Sequence, residues 1–399
     1  MPIGNFYQQT GISIFAYEPT INVSTPSYTP EGLLFDTDLS NRVSSYTHTI
    51  SAFGGYDRAS FSINYDELGA SEWIDKLGYH VVVYNPYITK IWEGFVNKIT
   101  ISVGGLTATR GPLTDIANSV FVVYSTFDGS TVPPTLGMRE TTAVTTNSVS
   151  QNRYGVIQKA ISIGGASEEN AEQVRDVWLA ENALPDTGQS FNSQASVNTR
   201  VIVECLGYYH WLGLFVWNST VSGDREISDA IKDVFNYENT YINGMYSTDL
   251  SNIETPASTV DIKRYVNENQ TALARIKYLV AFGDGADNRQ LFGIYNDLTP
   301  YYYSIPTEIE YTQSIGRNVQ TVRDAAGNVL DPWDIVPGKW LEFTDFLTTS
   351  KLSADFDENP RIEFMESVTY TAPYSVTHTG NKVGTFKQRL AKFGLTGVG

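Results

Sequence analysis

Between Ser60 and Tyr65 every second residue is large and apolar, which puts Phe61, Ile63 and Tyr65 on one face of an extended chain and would scatter them around a helix. Thr100-Ile101-Ser102-Val103 repeats the alternation. Tyr79-His80-Val81-Val82-Val83-Tyr84 is apolar at successive positions instead, the pattern of a strand covered on both faces, and Asn85-Pro86 stops it by removing a ladder donor. A further strand is expected from Ile91 to Ile101. With 25 Tyr, 19 Phe and many short Thr, Val, Ile and Ser runs broken by Gly, Pro, Asn and Asp, the chain reads as mainly β with inserted helices, arranged as small β-barrel or sandwich modules.

The 399 residues are enough for two to four such modules. Residues 1–118 read as an N-terminal β-barrel closed by a short helix at Ala70–Gly78, where Ser71 caps, Trp73, Ile74 and Leu77 face inward and Gly78 ends the turn. Residues 119–220 form a second β-rich module, from Val120–Tyr124 to Arg200–Leu206. Its inserted helix starts at Ser167, with Glu168 and Glu169 at the positive end of the dipole, and is expected to bury Val174, Val177 and Trp178. Residues 221–283 connect through two helices, Glu226–Phe235 and Thr271–Phe282, with Ile227, Ile231, Val234 and Phe235 on one inner face and Leu273, Ile276, Leu279 and Val280 on the other. Residues 284–399 return to strands at Gln290–Tyr295, Tyr301–Tyr303 and Lys339–Phe343, with a hairpin turn at Asp324–Asn328 and a basic tail.

A net charge of −17 disfavours adhesion to nucleic acid or anionic membrane by bulk charge. The tail runs the other way: from 380 onward it holds Lys382, Lys387, Arg389 and Lys392 and no acid. The single cysteine, Cys205, excludes an intrachain disulfide and reads as an inert buried thiol. The first residues lack the pattern of a secretory signal, and no apolar run is long enough to span a bilayer, so a soluble protein made in a cytosol is expected.

Catalytic motifs are missing. His48, His80, His210 and His378 have no metalloprotease spacing, no Gly-x-Ser-x-Gly elbow occurs, and Gly104-Gly105 lacks the lysine of a phosphate loop and reads as a turn. Asp284–Asn288 and Asp355–Asn359 are acidic without EF-hand spacing and read as solvated loops. The aromatic clusters Tyr208-Tyr209-His210-Trp211 and Tyr301-Tyr302-Tyr303 are either core and strand faces or stacking platforms for sugars. No catalytic, cofactor-binding or metal residues and no cofactor are assigned.

Ile91-Trp92-Glu93-Gly94-Phe95-Val96-Asn97-Lys98-Ile99, followed by Gly104-Gly105-Leu106, resembles the first barrel of tail hub proteins of tailed bacteriophages. Asp287–Tyr295 with Tyr301–Tyr303, and Asp331-Pro332-Trp333 through Pro337-Gly338-Lys339-Trp340, look like segments of phage tail proteins. The resemblance covers residues 31–118 and 284–343 in pattern and offers no active-site residues. It implies a non-catalytic virion protein: a hub or baseplate ring subunit, often trimeric, that joins the tail tube to the tip or fibres and lets DNA pass without specific binding. It would be assembled in the host cytoplasm and work in the virion tail. Partners would be copies of itself and other tail proteins (tube, distal tail, tip or fibre), with no membrane. A distal tail or adaptor ring protein is the nearest alternative. A carbohydrate-binding adhesin using the tyrosine clusters, or a glycoside hydrolase with two convergent carboxylates, stands further off.

Overall fold

The computed structural model describes residues 10–381 apart from 23–26, 37–38, 40–41, 65–66, 129, 131–134, 192–198, 218–224, 242–244, 256–260, 263–268, 284–289, 315–320, 345–360 and 374. Strand dominates, as the alternation requires. One 16-stranded curled sheet forms the body. Its main path runs Val322–Asp324, Ile309–Ser314, Trp340–Thr344, Arg361–Thr371, Val43–Ser51, Gly55–Ile63, Arg200–Leu206, Lys90–Val103, His80–Tyr84, Ser13–Asn22 and Ser27–Asp36. Five further strands branch from it. Ser375–Asn381 pairs with Arg361–Thr371, Leu106–Arg110 folds back on Lys90–Val103 and carries Thr187–Phe191, and Gln290–Tyr295 joins Gly55–Ile63 and pairs with Thr299–Ser304.

Period two decides what each face carries. On the inner side Tyr46, Phe61, Ile99, Val201 and Val203 are buried in the main core, which also takes in Trp73, Trp92, Phe95 and Trp211. On the outer side of the same strands stand hydroxyls that bond across the ladder: Thr47 to Thr371 at 3.1 Å, Thr49 to Thr369 at 2.9 Å and Thr100 to Thr109 at 3.4 Å. Threonine keeps the β-branched preference for strand while presenting a polar group to water, so one face can be wet without losing strand propensity.

Lys90–Val103 is the hinge of this arrangement. Val81, Val82 and Val83 in the neighbouring His80–Tyr84 are all buried, as the unbroken apolar run requires. Gly94 is needed because a Cβ there would overlap the Leu206 carbonyl and crowd the Trp92 ring. Gly104 and Gly105 make the expected hairpin turn with φ of 54° and 89°. The turn at Asp324–Asn328 also forms, closed by Gly327 N–H donating to the Asp324 carbonyl at 2.9 Å.

Local boundaries differ in places. The helix expected at Ala70–Gly78 is α-helical from Glu67 to Glu72 and tightens into a 3-10 turn at Trp73–Asp75, so Ser71 lies inside the helix and is no cap. The tight turn seats Trp73 edge-on against Phe61, ring centroids 6.2 Å apart. The helix expected over Glu226–Phe235 runs on as Ile227–Tyr241, with Ile227, Ile231, Val234 and Phe235 buried. Thr271 caps Ala272–Phe282 by accepting from Ala274 N–H, and Gly283 closes it at φ 65°. There Ile276 and Leu279 are buried, whereas Leu273 and Val280 are half-buried at its margins. Tyr65, the acidic clusters 284–288 and 355–359 and the basic tail from 382 lie outside the described residues.

A second sheet is built within the 119–165 stretch: Thr145–Thr146, Ser119–Asp128 and Gln158–Gly165 in order, with Thr135–Thr141 also pairing with Ser119–Asp128. Gln158–Gly165 runs parallel to Ser119–Asp128, and the Ser148–Tyr154 helix lies in the connection before it. Asn118 fastens this corner, its side chain accepting from Ile157 N–H at 2.8 Å and donating to the Gly155 carbonyl at 2.8 Å. Arg200–Leu206 leaves this stretch and inserts into the large sheet between Gly55–Ile63 and Lys90–Val103.

Candidate assembly surface

The aromatic clusters are spent inside. Tyr208 and Trp211 are buried, with Trp211 edge-on to Phe95 at 4.7 Å, and Tyr209 packs on Phe292. Tyr302 is buried between two half-buried neighbours, Tyr301 and Tyr303, because successive strand residues point to opposite faces. Neither cluster offers a row of exposed rings on which a sugar could stack.

The histidines are structural as well. His48 Nδ1 lies 2.9 Å from Tyr46 Oη and His80 Nδ1 lies 2.7 Å from Tyr208 Oη. Burial pulls both imidazoles down to about 3, Lys90 adding to the effect at His80, so both are neutral at physiological pH. His210 Nε2 pairs with Asp57 Oδ1 at 2.6 Å. Burial works to raise the Asp57 carboxyl, and the bonds from His210 and Arg58 outweigh it and hold it below the usual range. Cys205 is buried, and burial pushes its thiol well up, the opposite of what a nucleophile needs. Among the described residues no group of three or more His, Cys, Asp or Glu is placed to hold a metal ion. No helix there is long and apolar enough to cross a membrane.

Two concavities among the described residues bear on the hydrolase alternative. One, of about 400 Å³, lies on the threonine face between Thr47, Thr49, Arg58, Ile202, Glu204 and Thr369; Glu204 is its one carboxylate and stands 3.3 Å from Lys98 Nζ. The other, of about 360 Å³, has Glu18 and Asp75 on its wall, and Asp75 is engaged by Arg110 at 2.7 Å and Arg153 at 2.8 Å. A glycosidase needs one carboxyl free to give a proton and a second facing it; the first concavity holds a single carboxylate, and in the second the Asp75 carboxylate is already held by two guanidiniums.

What stands out is apolar surface facing water. Thirteen large apolar side chains are exposed among the described residues, and eight of them fall between Phe127 and Leu184, in and around the four-stranded module. Thr135–Thr141 is exposed at every position, with Leu136 at 64% and Met138 at 77%, beside Phe127 at 59% on the strand it pairs with. An exposed strand edge carrying large apolar groups is what a chain ordinarily covers. The helix of this module, Glu168–Asn182, is capped by Ser167 as its sequence requires, but its burial is inverted: Ala171, Arg175 and Leu179 face the sheet, Trp178 is half-buried, and Val174 and Val177 look outward. The expected valine face is therefore not the inner one. Arg175 takes its place because Asp176 at 2.8 Å, Glu172 at 3.4 Å and the Ala143 carbonyl at 2.9 Å satisfy its guanidinium.

Two polar residues matter that spacing did not single out. Glu93 is 2% exposed and bridges distant parts of the chain, accepting from Lys90 Nζ at 2.8 Å and from Leu298 N–H at 3.2 Å. Lys90 also reaches Asp297 at 2.7 Å. Glu238 is fully buried, and among the described residues neither of its carboxylate oxygens has a hydrogen-bond partner. Position 238 continues the inner stripe set by Ile231, Val234 and Phe235, which is the one sign of its burial that periodicity carries.

No protein-family model matches the chain, and no curated protein matches it. Among solved structures it is similar to the 43 kDa tail protein of prophage MuSo2 from Shewanella oneidensis, at 8% identity and a TM-score of 0.40, over 93% of this chain and 96% of that one. It is also similar to the tail protein from Neisseria meningitidis MC58, at 6% identity and a TM-score of 0.38, over 92% and 95%. Both are tail proteins, and neither is described as a hub.

Proposed function

We propose that the chain is a non-catalytic structural subunit of a phage tail, a hub or baseplate component that closes with copies of itself into a ring between the tail tube and the tip. The observation that carries this reading is the concentration of exposed apolar side chains on the four-stranded module, with Thr135–Thr141 open along one edge. A subunit that works alone in water has no use for such a surface, whereas a ring buries it once per neighbour. The tail setting is supported by the resemblance of Ile91–Ile99 and the Gly104-Gly105-Leu106 hairpin after it to the first barrel of phage tail hub proteins. A net charge of −17 suits a channel through which DNA moves without sticking.

Light scattering of the full chain at micromolar concentration tests it: a closed oligomer is expected, and a stable monomer overturns it. Replacing Leu136 and Met138 together by Glu removes the apolar edge without touching the core, so the oligomer should dissociate while the circular dichroism of the fold stays. An oligomer indifferent to that pair places the interface elsewhere and removes the observation on which the proposal stands.

A further inference from the structure

The helix Glu168–Asn182 is built in reverse for a helix that serves only its own core. It sets Arg175 at 7% exposure against the sheet and leaves Val174 at 39% and Val177 at 51% in water, three positions apart on the outer side. Around those valines it is acidic, with Glu168, Glu169, Glu172, Asp176 and Glu181 against the single Arg175. A face that pairs apolar contacts with an excess of negative charge fits a basic amphipathic segment.

The chain contains one. From residue 380 onward Lys382, Lys387, Arg389 and Lys392 meet no acid, and Phe386, Leu390 and Phe393 recur at intervals of four and three. That is the spacing of a single helical stripe, with the cations between. We infer that residues 382–399 of one copy dock on the outer face of the Glu168–Asn182 helix of the next, their phenylalanines and leucine against Val174 and Val177 and their cations against the helix acids. The contact uses one patch of each copy against a different patch of its neighbour, so it is head-to-tail and propagates around a ring. It rests on the assembly reading above and names a pair of surfaces that make the joint.

Full-length chains test it by cross-linking. Val177→Cys and Leu390→Cys are made separately, mixed, and treated with a short bismaleimide; Cys205 is 1% exposed and stays silent. The mixture should give a product of twice the chain mass that neither protein gives alone. With Lys387, Arg389 and Lys392 all changed to Glu in the Leu390→Cys chain, its yield should fall about tenfold, since both steering and pairing are reversed. Light scattering on the same samples separates the two readings. An assembled ring without the mixed product overturns this docking and leaves the assembly intact, and a monomer overturns both. A third protein carrying both substitutions in one chain is treated in the same way, and a link that forms only within that chain overturns the neighbour as donor. A product unchanged by charge reversal overturns the charge complementarity.

Discussion

Glu93→Ala is the substitution whose cost the structure specifies best. The carboxylate is 2% exposed, its partner Lys90 is 12% exposed, and the second donor, Leu298 N–H, belongs to the turn Asn296–Leu298 on the far side of the sequence. The two partners feel opposite pulls. Burial raises the Glu93 carboxyl, and Lys90 and the Leu298 amide draw it only part of the way back, so it stays above its usual range; burial lowers the Lys90 ammonium, and Glu93 and Asp297 more than reverse it. An ammonium at 2.8 Å together with an amide donor favours the ionised pair, so the truncation strands a charge and an N–H at once. Removing one member of a buried pair costs about 3–5 kcal/mol. Lys90 keeps Asp297, whose side chain is 79% exposed and therefore returns only about 0–1 kcal/mol.

We expect Glu93→Ala to lose about 4 kcal/mol in urea unfolding followed by tryptophan fluorescence. Glu93→Gln, which still accepts from Leu298 N–H, should lose about 2 kcal/mol. Pairing Glu93→Gln with Lys90→Met should recover most of that, because the stranded ammonium is gone. A loss below about 1 kcal/mol for Glu93→Ala would refute the reasoning, since it would mean the pair is solvated and ties nothing.

The two buried histidines make stability fall with acid. Each is neutral in the folded chain down to about 3 and protonates near 6.5 when unfolded, so its contribution is complete above 6.5 and is lost as pH falls from 6.5 to about 3. The expected slope is about 1.4 kcal/mol per pH unit for each, and His48→Asn should remove one of the two in unfolding titrations across that window. Glu238 acts with the opposite sign. Burial raises its carboxyl well above the usual value, so the folded chain is favoured at low pH and penalised as pH rises past the unfolded value. Glu238→Gln should therefore add about 1–3 kcal/mol at pH 7 and nothing at pH 4 by the same unfolding assay, and equal effects at both pH values would show the carboxyl reaches water. Gly94→Ala should cost about 3 kcal/mol in unfolding, because the atom in its way is the Leu206 carbonyl and backbone cannot swing aside; a neutral result would mean the two strands part locally.

Strand existence was legible because period two survives any partner choice. Phe61 and Ile63 face the core whichever strand lies beside them, and the continuous run at Val81–Val83 declares two-sided burial without saying what covers it. Pairing was not legible, for the same reason. Nothing in Arg200–Leu206 tells that it inserts between Gly55–Ile63 and Lys90–Val103, both far back in the chain, since long-range partners are chosen by whole-face packing and leave no local mark. The tyrosine triplet shows the limit from the other side. Its composition suits a platform, and only the alternation of strand side chains says that Tyr302 must go in.

The helix at Glu168–Asn182 shows where amphipathic reading fails. Periodicity finds an apolar stripe but does not say which chain will cover it. In this helix Val174 and Val177 fit a stripe as well as Ala171 and Leu179 do, and the choice between the two sides was made by Arg175. Its guanidinium can enter only where a main-chain carbonyl waits, and Ala143 supplies one at 2.9 Å, while Glu172 and Asp176 on its own helix hold its charge. Once the arginine faces inward, the geometry of 100° per residue carries both valines out. A helix that had only its own sheet to satisfy would reach lower free energy with the valines inside and the arginine in water. The inverted arrangement is therefore stable on its own terms yet incomplete, and it leaves beside the open strand Thr135–Thr141 a second surface that another polypeptide can finish.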